Sequence, residues 1–151
     1  SDIDSAFADN YLDNYREEQF NYIKRLLDET DYYILIIGNR YGSQADDGIS
    51  YTEKEFDYAV NLGIPVIACI HSNPDILPVN KSDTRSKAKQ KLSKFRNKVM
   101  NHRMVSKISW DSPSALSAEV AVALVNTIND YPRSGWERVV SCAMMKARER
   151  L

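Results

Sequence analysis

The residue types best suited to chemistry gather in two polar segments between positions 38 and 56. The first segment follows an apolar run and reads Gly38-Asn39-Arg40-Tyr41-Gly42-Ser43. Its two glycines permit close approach of a ligand to the backbone, and the planar guanidinium of Arg40 can pair with a carboxylate or a phosphate. Because the glycine spacing fits neither a dinucleotide-binding loop nor a Walker loop, plain turn glycines are the favoured interpretation on spacing alone.

The second segment, Ser50-Tyr51-Thr52-Glu53-Lys54-Glu55-Phe56, has the features of a helix start. Ser50 followed by Glu53 is a capping box, in which the Glu53 side chain reaches back to the backbone N–H of Ser50. Glu55 has no such structural task. It falls just off the apolar stripe of its helix, where a carboxylate could stabilise an oxocarbenium ion or hold a ribose hydroxyl. A favourable charge in the first helical turn explains Glu55 equally well.

The elements that must position these segments alternate between helix-like and strand-like patterns. Apolar, β-branched runs predict strands at about Tyr32–Ile37, Ile64–Ile70 and Val105–Ser109, separated by segments with a helical period. This order is typical of an α/β domain with an open, largely parallel sheet and helices on both faces. We therefore predict one such domain over residues 1–135. Both polar segments then fall beyond the carboxyl ends of the strands, where open α/β sheets bind ligands.

Two helical segments and the order of elements carry further predictions. Ser114–Asp130 is apolar around much of its circumference, so it is expected to be well buried or to contribute to an interface. Residues 136–151 have the spacing of one last amphipathic helix, a lead into a further domain. Because a helix precedes the first strand, we also expect the native gene product to carry a strand–helix unit before Ser1. The apolar stripe through Met144 and Leu151 predicts further sequence after Leu151.

Composition limits the classes of partner. The net charge of −1 argues against a nucleic-acid-binding protein, although basic residues concentrate between Lys81 and Arg103 and acidic ones in Asp2–Asp31. A solvated face is the favoured interpretation of this asymmetry, and self-association is the alternative. The helix that contains most of the basic residues is predicted to be solvated or partner-facing rather than duplex-binding. Its lysines are Lys87, Lys89, Lys91, Lys94 and Lys98.

Other classes of protein lack support in the sequence. No run approaches the roughly 20 apolar residues that span a bilayer, and the chain has no signal-peptide pattern. Cys69 and Cys142 are too few for a disulfide framework, while His71 and His102 are isolated, so no metal site is expected. The sequence thus favours a cytoplasmic protein without membrane contact, metal or resident cofactor.

Several blocks of the sequence resemble the bacterial family called domain of unknown function 4062. They are Glu18–Lys24, Asp31–Ser43, Ile49–Ala59, Gly63–Ala68, Tyr131-Pro132 and Gly135-Trp136. That family is similar to Toll/interleukin-1 receptor (TIR) domains and to nucleoside 2-deoxyribosyltransferases. Ser50–Phe56 resembles the TIR pattern Ser-Trp-Cys-x-x-Glu-Leu, and Glu55–Ala59 resembles the Glu-Leu-Gly-Tyr-Ala of the transferases. Both comparisons select Glu55, whereas the opening strand of the family, with its Ser-Ser-Thr turn, has no counterpart here.

The resemblance implies a TIR-like nucleotide-binding domain that cleaves NAD, in bacterial signalling or antiviral defence. Glu55 would be catalytic, with NAD a substrate rather than a cofactor. The resemblance and the loop chemistry together predict that the substrate contacts Gly38, Arg40, Tyr41, Gly42, Ser43, Ser50 and Thr52. Two alternatives remain: a non-enzymatic self-association module, and a nucleoside deoxyribosyltransferase. In either enzymatic case Glu55, not Glu53, is the predicted functional carboxylate.

Overall fold

The chain forms a three-layer α/β unit, which the computed structural model describes over residues 17–73, 86–103 and 105–135. Residues 17–28 are helical and are called α1 here. The elements that follow are β1 Tyr33–Ile37, α2 Tyr51–Asn61, β2 Val66–His71, α3 Ser86–Asn101, β3 Val105–Trp110 and α4 Pro113–Asp130. The predicted helix over residues 136–151 lies outside the described residues.

The sheet has the strand order β1-β2-β3, and both pairs of neighbours are parallel. Val66 at the start of β2 pairs in register with Tyr33 on one side and with Val105 on the other. All six residues of the central strand are buried, as a strand covered on both faces requires. The predicted α/β class and the parallel arrangement of all three strands are therefore confirmed.

One face of the sheet is covered by α2 and α3, which together bury most of the core. Leu35 and Ile37 of β1 point to this face, where they join Phe56 of α2 and Phe95 of α3. The two phenylalanine rings meet edge to face with their centroids 5.8 Å apart. Such aromatic pairs add about 0.5–1.5 kcal/mol to the free energy of burial, so they fix α2 against α3.

The opposite face is covered by α4, but only in part. Residues of α4 pack on Ile67, Cys69 and Ile108, which belong to β2 and β3. On β1 the side chains of this face remain open, and Ile36 is 55% exposed. The strand β1 is therefore buried on the face covered by α2 and α3 and exposed on this one.

The apolar helix α4 is itself more exposed than its sequence suggests. Thr127 is its one fully buried residue, and Val125 is 58% exposed. The prediction that this helix is well buried is therefore wrong for the described residues, while its alternative, a contribution to an interface, stays a prediction.

Within the described residues, no helix combines the length and apolar character that crossing a bilayer requires.

Candidate functional site

The two polar segments predicted from the sequence lie against each other where β1 ends and α2 begins. Residues 43–51 form a short hairpin, in which the N–H of Tyr51 donates to the carbonyl of Ser43 at 3.0 Å. Near its tip Gly48 has a φ of 75°, a left-handed conformation that glycine adopts without steric cost. The hairpin therefore brings Ser43 beside the first turn of α2.

The helix α2 begins at the predicted cap, but only half of the predicted capping box forms. The fully buried hydroxyl of Ser50 accepts a hydrogen bond from the backbone N–H of Glu53 at 3.2 Å. The Glu53 carboxylate does not reach back to Ser50. Its Oε2 instead accepts a hydrogen bond of 2.6 Å from the phenol of Tyr41, and its Oε1 lies 2.9 Å from the Lys98 ammonium.

These contacts make Glu53 part of a seam between α2 and α3. The same Lys98 ammonium lies 2.6 Å from the carboxylate of Asp57, one helical turn after Glu53. Burial and the hydrogen bond to Glu53 raise the pKa of the Tyr41 phenol. Glu53 is therefore a structural residue, as predicted, but its carboxylate binds Tyr41 and Lys98 instead of the backbone of Ser50.

Glu55 lies on the other side of α2, at a cavity of about 290 Å³ between α1 and α2. The hairpin contributes Ser43 to its wall, and α2 contributes Tyr51 and Thr52 beside Glu55. The wall from α1 consists of Gln19, Phe20 and Ile23. The cavity therefore combines one carboxylate with two hydroxyls and an aromatic surface.

The electrostatic environment of Glu55 differs from that of an ordinary surface carboxylate. Burial raises its pKa, and a hydrogen bond from the Tyr33 phenol, at 3.3 Å from Oε2, opposes that rise. Burial and the neighbouring charge of Glu55 in turn raise the pKa of Tyr33 well above its usual value. No cation lies within salt-bridge distance of Glu55 among the residues in the three described ranges. The carboxylate is thus half-desolvated and weakly paired.

The aromatic side of the cavity is bordered by positive charge. The rings of Phe20 and Tyr51 lie 5.8 Å apart at an angle of 59°. The Lys24 ammonium lies over Phe20 at 4.6 Å from the ring centroid, and the Lys54 ammonium lies 5.9 Å from the same ring. Lys54 also pairs with Asp47 of the hairpin at 2.9 Å. An anionic group of a bound ligand that extended out of the cavity on this side would lie near the ammonium groups of Lys24 and Lys54.

A family model described as Domain of unknown function (DUF4062) matches residues 5–125, which include α1, the hairpin and all three strands. The chain belongs to the DUF4062 family. The family predicted from the sequence blocks is thereby confirmed. Searches of curated proteins and of solved structures find no match for this DUF4062 domain. The likeness to TIR domains and deoxyribosyltransferases remains a hypothesis.

The residues predicted as a site divide into three groups in the DUF4062 domain. Glu55, Ser43 and Thr52 line the cavity. Tyr41 and Ser50 are buried and do not line it, and Tyr41 stands edge-on to Phe95 of the core. These two support the hairpin and the cap.

The remaining predicted residues belong to the loop that follows β1. Gly42 has a φ of 92°, a left-handed conformation that favours glycine, while a Cβ there would make only an ordinary contact, 3.6 Å from the Thr52 hydroxyl. The Gly38 carbonyl accepts from Arg96 at 3.4 Å, and Arg40 is exposed. None of these three lines the cavity beside Glu55.

Two residues of the site, Phe20 in the cavity wall and Tyr33 as the hydrogen-bond donor to Glu55, carried no signal of function in the sequence. Phe20 belongs to an apolar helical stripe, which predicts core packing equally well. Tyr33 lies in the apolar run of β1, and its phenol reaches Glu55 across 22 positions of sequence. A buried tyrosine needs a partner for its hydroxyl, but the sequence alone does not identify that partner.

The basic helix of the DUF4062 domain corrects one prediction. Lys87, Lys89 and Lys94 are exposed, as expected of a solvated face. Lys91 instead donates to the Gly48 carbonyl of the hairpin, and Lys98 lies in the seam. The prediction of a solvated or partner-facing surface is therefore wrong for Lys91, which is partly buried, whereas Lys98 stays 41% exposed within the seam. Within the described residues, no group of three or more His, Cys, Asp or Glu side chains could hold a metal ion.

Proposed function

We propose that this DUF4062 domain binds a nucleotide or nucleoside and cleaves its N-glycosidic bond, with Glu55 as the catalytic carboxylate. The observation that carries the proposal is the position of Glu55, half-desolvated and weakly paired in a cavity that also presents hydroxyls and aromatic rings. NAD is the first substrate to test. A place in bacterial signalling or antiviral defence belongs to the same proposal.

The cavity offers a complementary surface to each part of a nucleoside. The base would lie against Phe20 and Tyr51, whose rings form the apolar wall. Hydroxyl groups of Ser43 and Thr52 are suited to the ribose. Lys24 or Lys54 would pair with a phosphate outside the cavity.

The reaction would break the bond between C1′ and the base nitrogen. The leaving base takes the bonding electron pair, and the positive charge that develops on the ribose is stabilised by the ionised Glu55 carboxylate. For hydrolysis, a water oxygen then bonds to C1′ and its proton passes to solvent or to the carboxylate. Nicotinamide leaves as a neutral base, whereas adenine leaves a nucleoside as an anion and takes up a proton from solvent. If the acceptor is a second nucleobase, the same arrangement performs deoxyribosyl transfer.

The test is release of free base from NAD and, separately, from deoxyadenosine with and without added hypoxanthine. We expect Glu55→Gln to lower the rate by about 10²–10⁴-fold, because a neutral amide cannot stabilise the ribosyl cation. Glu53→Gln, two positions away and outside the cavity, is the matched control and should keep most of the activity. Loss of activity in Glu53→Gln alone, or equal rates in Glu55→Gln and the unmodified protein, would contradict the assignment.

A second candidate function is self-association, and a different observation favours it. Ile34 and Ile36 on the open face of β1, and Val122 and Val125 on α4, are large apolar side chains exposed to solvent. Exposed apolar groups of this kind are typical of interaction surfaces. Light scattering should then show oligomers that Ile36→Lys dissociates. A concentration-independent monomer without any base release would exclude both candidates.

A further inference from the structure

A second cavity of about 390 Å³ lies between α3 and the ends of β2 and β3. It shares no lining residue with the cavity of Glu55. The edge strand β3 contributes Lys107 and Ser109, which are exposed, and α3 contributes Arg96, Asn97 and Met100. Its volume lies within the range of small-molecule sites, at the lower end.

Among the described residues, the positive groups of this cavity have no acidic partner. Arg96 of α3 is partly buried and donates to two main-chain carbonyls, those of His71 at 2.9 Å and Gly38 at 3.4 Å. Burial lowers the pKa of its guanidinium. Within the described part of the chain, no carboxylate lies within 4.0 Å of Arg96 or of Lys107. A partly buried cation without a counter-charge is unfavourable, so an anion at this place would be stabilised.

The rest of the lining limits the chemistry of that anion. Asn97 and Ser109 supply an amide and a hydroxyl, which suit the oxygens of a phosphate or a sugar. Ile70 and Met100 supply apolar surface, and Met100 is half-exposed, as the side chain at a cavity mouth can be. A bare inorganic ion would leave this apolar surface unused. A molecule with one phosphate and a compact ring system contacts both the polar, basic part of the wall and its apolar part.

We propose that the cavity between α3 and β3 binds a small phosphorylated molecule of the size of a nucleoside monophosphate. Its phosphate pairs with Arg96 and Lys107, and its ring lies against Ile70 and Met100. The guanidinium suits a phosphate because it presents several donors in one plane. The site is separate from the Glu55 cavity and does not depend on the function proposed for it.

The experiment titrates the protein with adenosine monophosphate and, in a second arm, with inorganic phosphate, by calorimetry. Lys107→Gln removes an exposed charge and leaves the fold intact, so it tests the site without the risk attached to Arg96, which holds two strand ends. Lys89→Gln on the exposed face of α3 is its matched control, since it removes the same charge outside the cavity. We expect Lys107→Gln to weaken nucleotide binding by about tenfold or more, and Lys89→Gln to leave it unchanged.

Other outcomes decide between this site and its rivals. Binding that survives in Lys107→Gln, or that disappears in Glu55→Gln, would place the nucleotide elsewhere and overturn the proposal. Inorganic phosphate should bind more weakly than the nucleotide, and equal affinity would overturn the role of Ile70 and Met100.

Discussion

The two sides of α2 differ in how completely their charged groups are paired. On the side that faces α3, Glu53 and Asp57 share the Lys98 ammonium, and the phenol of Tyr41 occupies the remaining oxygen of Glu53. On the side that faces α1, Glu55 has one side-chain hydrogen bond to a described residue, at 3.3 Å, and borders a cavity. Positions 53 and 55 are about 200° apart around the helix, so these two carboxylates lie on opposite sides of α2 although only one residue separates them in sequence.

This difference separates a structural carboxylate from one that is available for chemistry. A carboxylate whose lone pairs are already occupied stabilises the fold and has little left to offer a substrate. A half-buried carboxylate with a raised pKa and one long hydrogen bond costs stability, and such costs concentrate at functional sites. Substitutions on one side of α2 at a time test whether Glu53 and Glu55 differ in their contribution to stability and in their pKa.

The largest effect on stability is expected from Lys98→Met, which removes the cation of the seam. The Glu53 side chain is only 16% exposed and would be left without its positive partner, whereas Lys98 itself is 41% exposed and partly screened by water. We expect the free energy of unfolding to fall by about 1–2 kcal/mol, between the values of exposed and buried pairs. Urea unfolding of Lys98→Met against Lys94→Met, which changes an exposed lysine of the same helix, measures it. Equal losses in both variants would mean that the seam contributes nothing specific.

The paired variants Glu53→Gln and Glu55→Gln should change stability in opposite directions at pH 7. Glu53→Gln weakens the pairing with Lys98 and should cost about 0.5–1.5 kcal/mol. Glu55→Gln removes a carboxylate whose ionisation is disfavoured by burial, and should raise the melting temperature slightly. If both variants are destabilised to the same extent, the two sides of α2 are energetically alike and the contrast is lost.

The pH dependence of the Glu55→Gln effect follows from the direction of its pKa shift. Because burial raises the pKa in the folded protein, the contribution of Glu55 to stability is greatest below its unfolded pKa, about 4.3, and falls as the pH rises through the folded pKa. Glutamine does not titrate. The gain in melting temperature should therefore be present at pH 7 and disappear near pH 4. Glu29→Gln, at an exposed carboxylate, should show no such gain at either pH.

Much of the fold and part of the site could be predicted from sequence, and the division has a physical cause. The strands were predictable because an apolar run such as Val66–His71 reports local burial. The exposure of Val125 on α4 could not be predicted, because the sequence of a helix shows which of its faces are apolar but not what packs on them. Glu55 was predictable as a carboxylate beside an apolar stripe. Its neighbour Tyr33 and the seam residue Lys98 lie 22 and 45 positions from their partners, so only the folded chain brings them together.

The smallest and most specific effect is expected from Tyr33→Phe, which removes the hydrogen bond from the Tyr33 phenol to the Glu55 carboxylate and keeps the ring. That bond stabilises the ionised form, so its loss should raise the pKa of Glu55 further. At an oxygen-to-oxygen distance of 3.3 Å the bond is long, and we expect the loss of stability to stay below about 1 kcal/mol.

Two measurements check the Tyr33→Phe prediction. One is the carbon-13 chemical shift of the Glu55 carboxyl as a function of pH, which does not require activity. The other, where base release is detectable, is the acidic limb of the pH–rate profile, which should move to higher pH because the ionised carboxylate is the form that stabilises the ribosyl cation. Tyr58→Phe, whose phenol bonds Asp28 at 2.7 Å away from the cavity, is the matched control. An unchanged Glu55 titration in Tyr33→Phe would show that burial alone sets the properties of this carboxylate.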